Sequence, residues 1–426
     1  MKNSKIIGKI IGKIMKCIIL IILIILLYFI NKENIAQIYN ESSYFTSWAT
    51  GIYPTKSPKI ELHDNSLRQI IRVSAGGVKI RIKFSNLIGE SPLEIKKACI
   101  ADMISDTEIN VKTSKFLKFN GKNNIIIEPE NEIYSDTISY PLKTFSNIAI
   151  TIYLGKIPNE LSGHSYSYTY SDVEKGHKIN KRKFSERNKI DHWYFISALE
   201  ISSDNPKKVI VCFGDSITDG VKWNGNYRDN YPAILFSKLY IENKITDISV
   251  VNQGINADMM FVRGLKRYEH DVLDIKGIKY IIVLMGVNDI NVINSTSEKV
   301  ISGYKQLIKK AHEKNILIYG ATIMPFSTYK CKYLWNLVKE KHRNNANKWI
   351  RNTKPQNGGF DAFFDFDKFV RDPLNATSLG PFADSGDGIH PGTGGYEKMV
   401  ESINDLSLFS KNLDICYKCQ GKFIED

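Results

Sequence analysis

Lys207–Gly220 reads KKVIVCFGDSITDG, and this stretch decides how the chain is organised. Val209 to Phe213 is an apolar run of strand length, and it stops at Gly214-Asp215-Ser216, where turn-forming residues take over. Downstream the same event recurs, with strand candidates at Ile248 to Asn252, Tyr280 to Met285, Ile316 to Thr322 and Phe360 to Phe366. Helical stretches at Tyr231 to Glu242, Ser297 to Lys314 and Cys331 to Arg351 lie between them, and Gly394 to Asp405 follows. Strands that alternate with amphipathic helices predict a parallel α/β sheet with crossover helices.

Upstream, residues 44–203 read differently. Arg68 to Ser74 (RQIIRVS) and Val78 to Phe84 (VKIRIKF) flank Ala75-Gly76-Gly77, which predicts a half-buried hairpin. Asn124 to Ile127, Ile148 to Leu154 and Trp193 to Ile201 are further strand candidates, set apart by Gly, Pro, Asn and Ser turns. The run His164 to Tyr170 alternates aromatic and small residues as a strand would. With little helical periodicity in this segment, a β-sandwich is the expected architecture.

The amino terminus is a third region. Cys17 to Ile30 reads CIILIILIILLYFI, fourteen apolar residues behind a stretch that carries Lys2, Lys5, Lys9, Lys13 and Lys16. The length suits a signal-peptide core, but Tyr28-Phe29-Ile30-Asn31-Lys32 offers no small residues for cleavage. An uncleaved signal-anchor or transmembrane segment over residues 1–32 is expected, with the lysines cytoplasmic and the catalytic part extracytoplasmic. Cleavage would instead secrete the protein.

A chain of 426 residues with 43% hydrophobic and 24% charged residues is folded and multi-domain, which excludes a disordered tail or a single small binding module. The net charge is +13, but five lysines fall in the first sixteen residues, so the other 410 carry about +8. That excess fits a solvated surface rather than a nucleic-acid groove. Six cysteines are too few for a disulfide scaffold. Cys99, Cys212 and Cys331 are expected to be buried and inert, and Cys416-Tyr417-Lys418-Cys419 to form a local disulfide in the C-terminal tail, residues 411–426.

In an open parallel sheet, ligands bind beyond the carboxyl ends of the strands, where Ser216 falls. A serine hydroxyl is a weak nucleophile until a base takes its proton. Asp384-Ser385-Gly386-Asp387-Gly388-Ile389-His390-Pro391-Gly392 supplies both parts of that device, since Asp387 is close enough to hold one nitrogen of His390 while the other faces Ser216. Two further strand ends, Asn252-Gln253-Gly254 and Gly286-Val287-Asn288-Asp289, carry donors of the kind an oxyanion needs. Asp215 and Asp289 read as caps or structural hydrogen-bonders. The other seven histidines, His164 among them, show no metal-ligand spacing and read as ordinary surface or core residues.

The ordered blocks Gly-Asp-Ser, Asn-x-Gly, Gly-x-Asn-Asp and Asp-x-x-His-Pro resemble the SGNH hydrolase superfamily, also called GDSL esterases, over residues 207–410. The resemblance implies a flavodoxin-like three-layer sandwich with Ser216 as nucleophile, His390 as base and Asp387 as its orienter. It implies an oxyanion hole made of the Ser216 N–H, the Gly254 N–H and the Asn288 side chain. Ser47-Trp48-Ala49-Thr50, Leu67 to Arg72 with Ser85-Asn86, and Trp193-Tyr194-Phe195 resemble the β-domain that precedes the catalytic domain in a bacterial subgroup. One departure is Ala257, where many relatives carry a second glycine.

These readings lead to a lipase-like serine esterase that needs neither metal nor cofactor. Acetyl or other short acyl esters on a carbohydrate are the expected substrates, because an accessory β-domain at a surface suits a polymer. A lipid esterase or lysophospholipase, for which anchoring beside the bilayer is natural, is the alternative. A glycan-binding surface protein with a silent hydrolase domain is the third reading, against which the full set Ser216, Asp387 and His390 argues.

Overall fold

The computed structural model describes residues 43–411 except 168, 186–187, 206, 221–229 and 331–334. The expected anchor at Cys17 to Ile30, Cys331 and the Cys416/Cys419 pair lie outside the described residues. Among the described residues no helix is long and apolar enough to cross a membrane.

The apolar runs form a five-stranded parallel sheet. Its strands are Lys208–Gly214, Ile248–Gly254, Ile278–Leu284, Leu317–Ala321 and Ala362–Phe364, arranged second-first-third-fourth-fifth. In that order the first crossover runs one way along the sheet and the later ones the other way. Right-handed connections must then place their helices on opposite faces. The packing agrees: Tyr231–Ser237 packs with Thr393–Glu401, while Ser297–Glu313 packs with Leu337–Asn352 and with Leu265–Tyr268. The last of these belongs to a helical stretch, Met260–Leu273, that hydrophobic spacing does not announce, because two π-turns flank its single α-turn and shift the period. Gly214 pairs with both Gly254 and Leu284, so the first three strands end level and build one rim.

The preceding β-rich part contains two larger antiparallel sheets. One joins Tyr44–Ala49, Ile196–Ser202, Gly77–Asn86 and Ile138–Leu142, and the other has Asn65–Arg72, Asn147–Leu154 and Leu93–Ser105 at its centre. The expected hairpin is therefore not formed. Both strands exist, but Asn65–Arg72 pairs with Asn147–Leu154 and Gly77–Asn86 with Ile196–Ser202. The polar groups of the intervening turn bond elsewhere: Ser74 N–H donates to Ser47 O at 3.1 Å, and Ser47 Oγ both accepts from Ala75 N–H and donates to Ala75 O. The chain passes from one sheet to the other instead of folding back.

Trp193 to Ile201 is also two strands rather than one. Phe195 breaks it at φ 60°, giving His192–Tyr194 to a small sheet with Leu161–Ser165, and Ile196–Ser202 to the first large sheet. The strand beginning at Leu161 ends at Ser165, and Tyr166 follows at φ 61°, so His164 to Tyr170 is not one continuous strand. The described residues from Phe45 onward form one compact unit. Its seam is polar as well as apolar: Ser74 Oγ lies 2.6 Å from Ser249 Oγ, which donates to Thr46 O.

One buried charge holds the sheet's fourth exit. Arg343, 1% exposed, donates to Glu340, to Asp367 Oδ1 at 2.7 Å and to Ile323 O at 3.0 Å. The loop it anchors continues to Tyr329 and to Lys330, whose N–H donates to Asp387 O at 3.0 Å. Arg343→Ala would leave Glu340 buried without its cation, while Asp367 keeps Arg351 at 2.6 Å, so it should destabilise the protein by about 3–5 kcal/mol, read as a lowered urea midpoint. A variant as stable as the parent would show that the cluster contributes nothing net.

Candidate active site

Ser216 opens a one-turn helix, Ser216–Asp219, directly beyond the first parallel strand. The Asp215 side chain caps it by accepting the Ile217 N–H at 3.0 Å. Ser216 is 7% exposed, and its Oγ lies 2.8 Å from His390 Nε2. On its other side the ring meets Asp387, with His390 Nδ1 at 2.6 Å from Asp387 Oδ2. A carboxylate only accepts, so Nδ1 carries the hydrogen and Nε2 keeps a lone pair for the serine hydroxyl. Asp387 Oδ1 takes the N–H groups of Ile389 and His390 at 3.0 and 2.9 Å. Burial pushes this carboxyl up, but the His390 ring and the two N–H groups outweigh it and hold the pKa at about 2. Asp387 is thus an anion throughout the neutral range. The structure brings all three residues together, and Tyr329 closes the group with its ring edge-on to His390 at 6.3 Å.

The remaining expected residues divide. Asn288, half-buried, stands at the end of the third strand behind Gly286, whose φ of 117° is open to glycine. One amide hydrogen of Asn288 goes to Asp258 O at 3.0 Å, which leaves the other for a ligand. Gly254 differs from expectation. Its N–H already donates to Asn252 Oδ1 at 2.8 Å, and a Cβ there would lie 2.1 Å from the Asp219 nitrogen. Glycine is needed for close approach to the serine's turn, and its N–H is taken by Asn252 Oδ1. Three residues on, Ala257 is exposed at φ 55°, a conformation that glycine adopts without cost, and its N–H has no acceptor among the described residues. The Ala257 position that stood out in the sequence thus carries a backbone N–H without an acceptor among the described residues.

Asp289 is structural, as its sequence context suggested: its carboxylate accepts the N–H groups of Met260 and Phe261. His164 is not an ordinary core histidine. It is 1% exposed, with Nδ1 at 2.9 Å from Gly51 O and Nε2 at 3.0 Å from Asp219 Oδ1, on the turn that begins with Ser216. No spacing in the sequence could announce a pair 55 residues apart. Among the described residues no group of three or more His, Cys, Asp or Glu side chains is arranged to hold a metal ion.

The model of the GDSL-like lipase/acylhydrolase family matches residues 210–403. Solved structures similar to the chain include a putative lipolytic protein of the G-D-S-L family from Desulfitobacterium hafniense, 21% identical, which covers 46% of this chain and 98% of its own with a TM-score of 0.36. A putative GDSL-like lipase from Parabacteroides merdae is 23% identical, covering 46% and 95% with a TM-score of 0.35. An acetyl xylan esterase variant from Geobacillus stearothermophilus is 19% identical, covering 47% and 94% with a TM-score of 0.35. No curated protein matches the chain. With the family match spanning the sheet and the loops that carry Ser216, Asn288 and His390, residues 210–403 are a GDSL-like lipase/acylhydrolase domain, a hydrolase of ester bonds.

Proposed function

We propose that the protein is a serine esterase that removes short acyl groups, acetyl above all, from a carbohydrate through an acyl-enzyme. The observation that carries the mechanism is the 2.8 Å approach of Ser216 Oγ to His390 Nε2, with Nδ1 held by Asp387. Ser216 Oγ attacks the ester carbonyl carbon as His390 takes its proton. The oxyanion that forms is met by the Ser216 N–H, by the free amide hydrogen of Asn288 and by the Ala257 N–H in place of Gly254. Collapse expels the alcohol, which receives the proton from His390. Water then attacks the acyl-enzyme with His390 again as base, releasing the acid and restoring Ser216.

The carbohydrate side of this reading rests on the accessory β-rich part, which suits a polymer; a cleft of about 920 Å³ lies beside the serine's turn, but Ser216, Ala257, Asn288 and His390 do not line it. The cleft runs from Asp219 and Asn252 to Trp48 and Trp193 of the β-rich part.

Asp215 has a different part. It is fully buried, its Oδ2 has no hydrogen-bond partner among the described residues, and burial pushes its pKa up to about 7, helped by Asp258 and Asp289 and opposed by the Ile217 N–H and His390. We assign it to capping the turn, not to proton transfer.

Ser216→Ala should fold normally and lose at least about a thousandfold in turnover. The parent enzyme, given p-nitrophenyl esters from acetate to palmitate beside acetylated oligosaccharides, should favour acetate and the sugar esters. Preference for long chains would instead mark a lipid esterase, and near-normal turnover by folded Ser216→Ala would sink the mechanism. Asn288→Ala should lower the turnover number about 100- to 1000-fold with little change in KM. A mere turn residue would shift only the melting temperature.

The Asp215 pKa gives a pH prediction with a definite sign. A carboxyl at about 7 in the folded state, against about 3.9 unfolded, binds its proton more tightly when folded. Its stabilisation is full below about pH 4 and is lost as pH rises through about 7. Asp215→Asn keeps an oxygen for the Ile217 N–H and does not titrate, so its stability relative to the parent should climb between about pH 4 and pH 7. Urea unfolding at both ends of that window reads the change, and a pH-independent difference would contradict it.

A further inference from the structure

The strongest unused feature of the molecule is the buried pair His164 and Asp219. His164 comes from the strand Leu161–Ser165 in the β-rich part, and Asp219 closes the one-turn helix that Ser216 opens. Both side chains are almost fully enclosed, at 2% and 6% exposed. Gly51 O is an acceptor only, so His164 Nδ1 must carry a hydrogen; one further proton is shared between Nε2 and Asp219 Oδ1. The pair is net neutral with that proton on either atom, which makes it tolerable inside the fold.

Its surroundings give it a single orientation. The edge of Tyr53 and the tilted face of Trp193 hold the imidazole at 5.6 and 5.8 Å between ring centres. Gly51 is packed so tightly that a Cβ would lie 2.7 Å from Ile255 Cδ1. Burial works against the charged ring, yet the Asp219 carboxylate and the Gly51 carbonyl keep the His164 pKa above its ordinary value. None of these atoms faces Ser216 Oγ or His390.

We infer that His164 is a positioning residue for the nucleophile: by holding Asp219 it fixes the rotation of the Ser216–Asp219 turn, and so makes the β-rich part a component of the active site. This rests on Ser216 as the nucleophile, which the Ser216→Ala experiment establishes or refutes on its own. A serine displaced by a fraction of an ångström from His390 Nε2 still binds substrate but attacks more slowly. The expected signature is therefore a loss in kcat with KM unchanged.

The test uses the full chain with His164→Ala, Asp219→Ala, the double variant and Asp219→Asn. Turnover of p-nitrophenyl acetate is measured beside the rate at which a fluorophosphonate labels Ser216, below each variant's melting temperature. Both single alanine variants should lose about tenfold or more in kcat and in labelling rate, with KM within about twofold of the parent. The double variant should be no worse than either single one, because the two side chains act as one unit. Asp219→Asn should recover most of the rate, since its amide donates to a neutral His164 Nε2 and keeps the turn in place. Folded alanine variants with parental kcat and labelling would overturn the proposal. If neither alanine variant folds, His164→Phe, which fills the space without a hydrogen bond to Asp219, takes their place, and parental kcat and labelling in that folded variant would overturn the proposal equally.

Discussion

A four-residue helix has no cooperative stability of its own, and Ser216 stands at the first position of one. Everything that keeps Ser216 in place must come from outside the turn. Asp215 caps its start, while Asn252 donates one amide group to the carbonyls of Thr218 and Asp219, and Asn230 adds a bond to Asp219 O at 3.1 Å. Gly254 presses against its backbone, and His164 holds its last side chain. The absence of a Cβ at position 254 is therefore a steric condition for the fit.

The strand ends around this turn are tied by Arg267. Its guanidinium donates to Gly214 O and Gln253 O, the exits of the first and second strands, and to the carboxylates of Asp258 and Asp271. A buried cation of this kind adds little net stability once desolvation is counted. Its effect is on geometry. Because Asp258 is gripped by Arg267 through its side chain and by Asn288 through its carbonyl, the Ala257 N–H beside it has a fixed direction.

How much of this was legible depended on distance along the chain. The parallel strands were readable because each is a short apolar run ended by turn residues, and Asp387 with His390 because they share one loop. The pairing of Asn65–Arg72 was not readable, since the flanking sequence fits a hairpin equally well and only Ser47, more than twenty residues upstream, decides against it. Phe195 gave no sign of its positive φ, because its place is set by Ser162 O and the Ser85 N–H. Gly254 was recognisable as special, but its chemistry was not, since a glycine required for close packing and one required as a donor look alike in sequence.

The two halves of the reacting pair are built on different principles. Asp387 holds His390 through two bonds and Ile389 through a third within a four-residue span, with Lys330 N–H steadying its carbonyl. The His390 ring is thus oriented by its own loop once that loop forms. Ser216 has only the Asp215 cap nearby, and the rest of its placement is the resultant of contacts from Gly51, His164, Asn230, Asn252 and Gly254. The 2.8 Å between Ser216 Oγ and His390 Nε2 is therefore more sensitive to the serine's side of the site. Perturbations that reach the chemistry from afar should travel through the turn, because the base has fewer long-range contacts to transmit them. In this arrangement the β-rich part, through His164, bears on a reaction whose reacting atoms it does not touch.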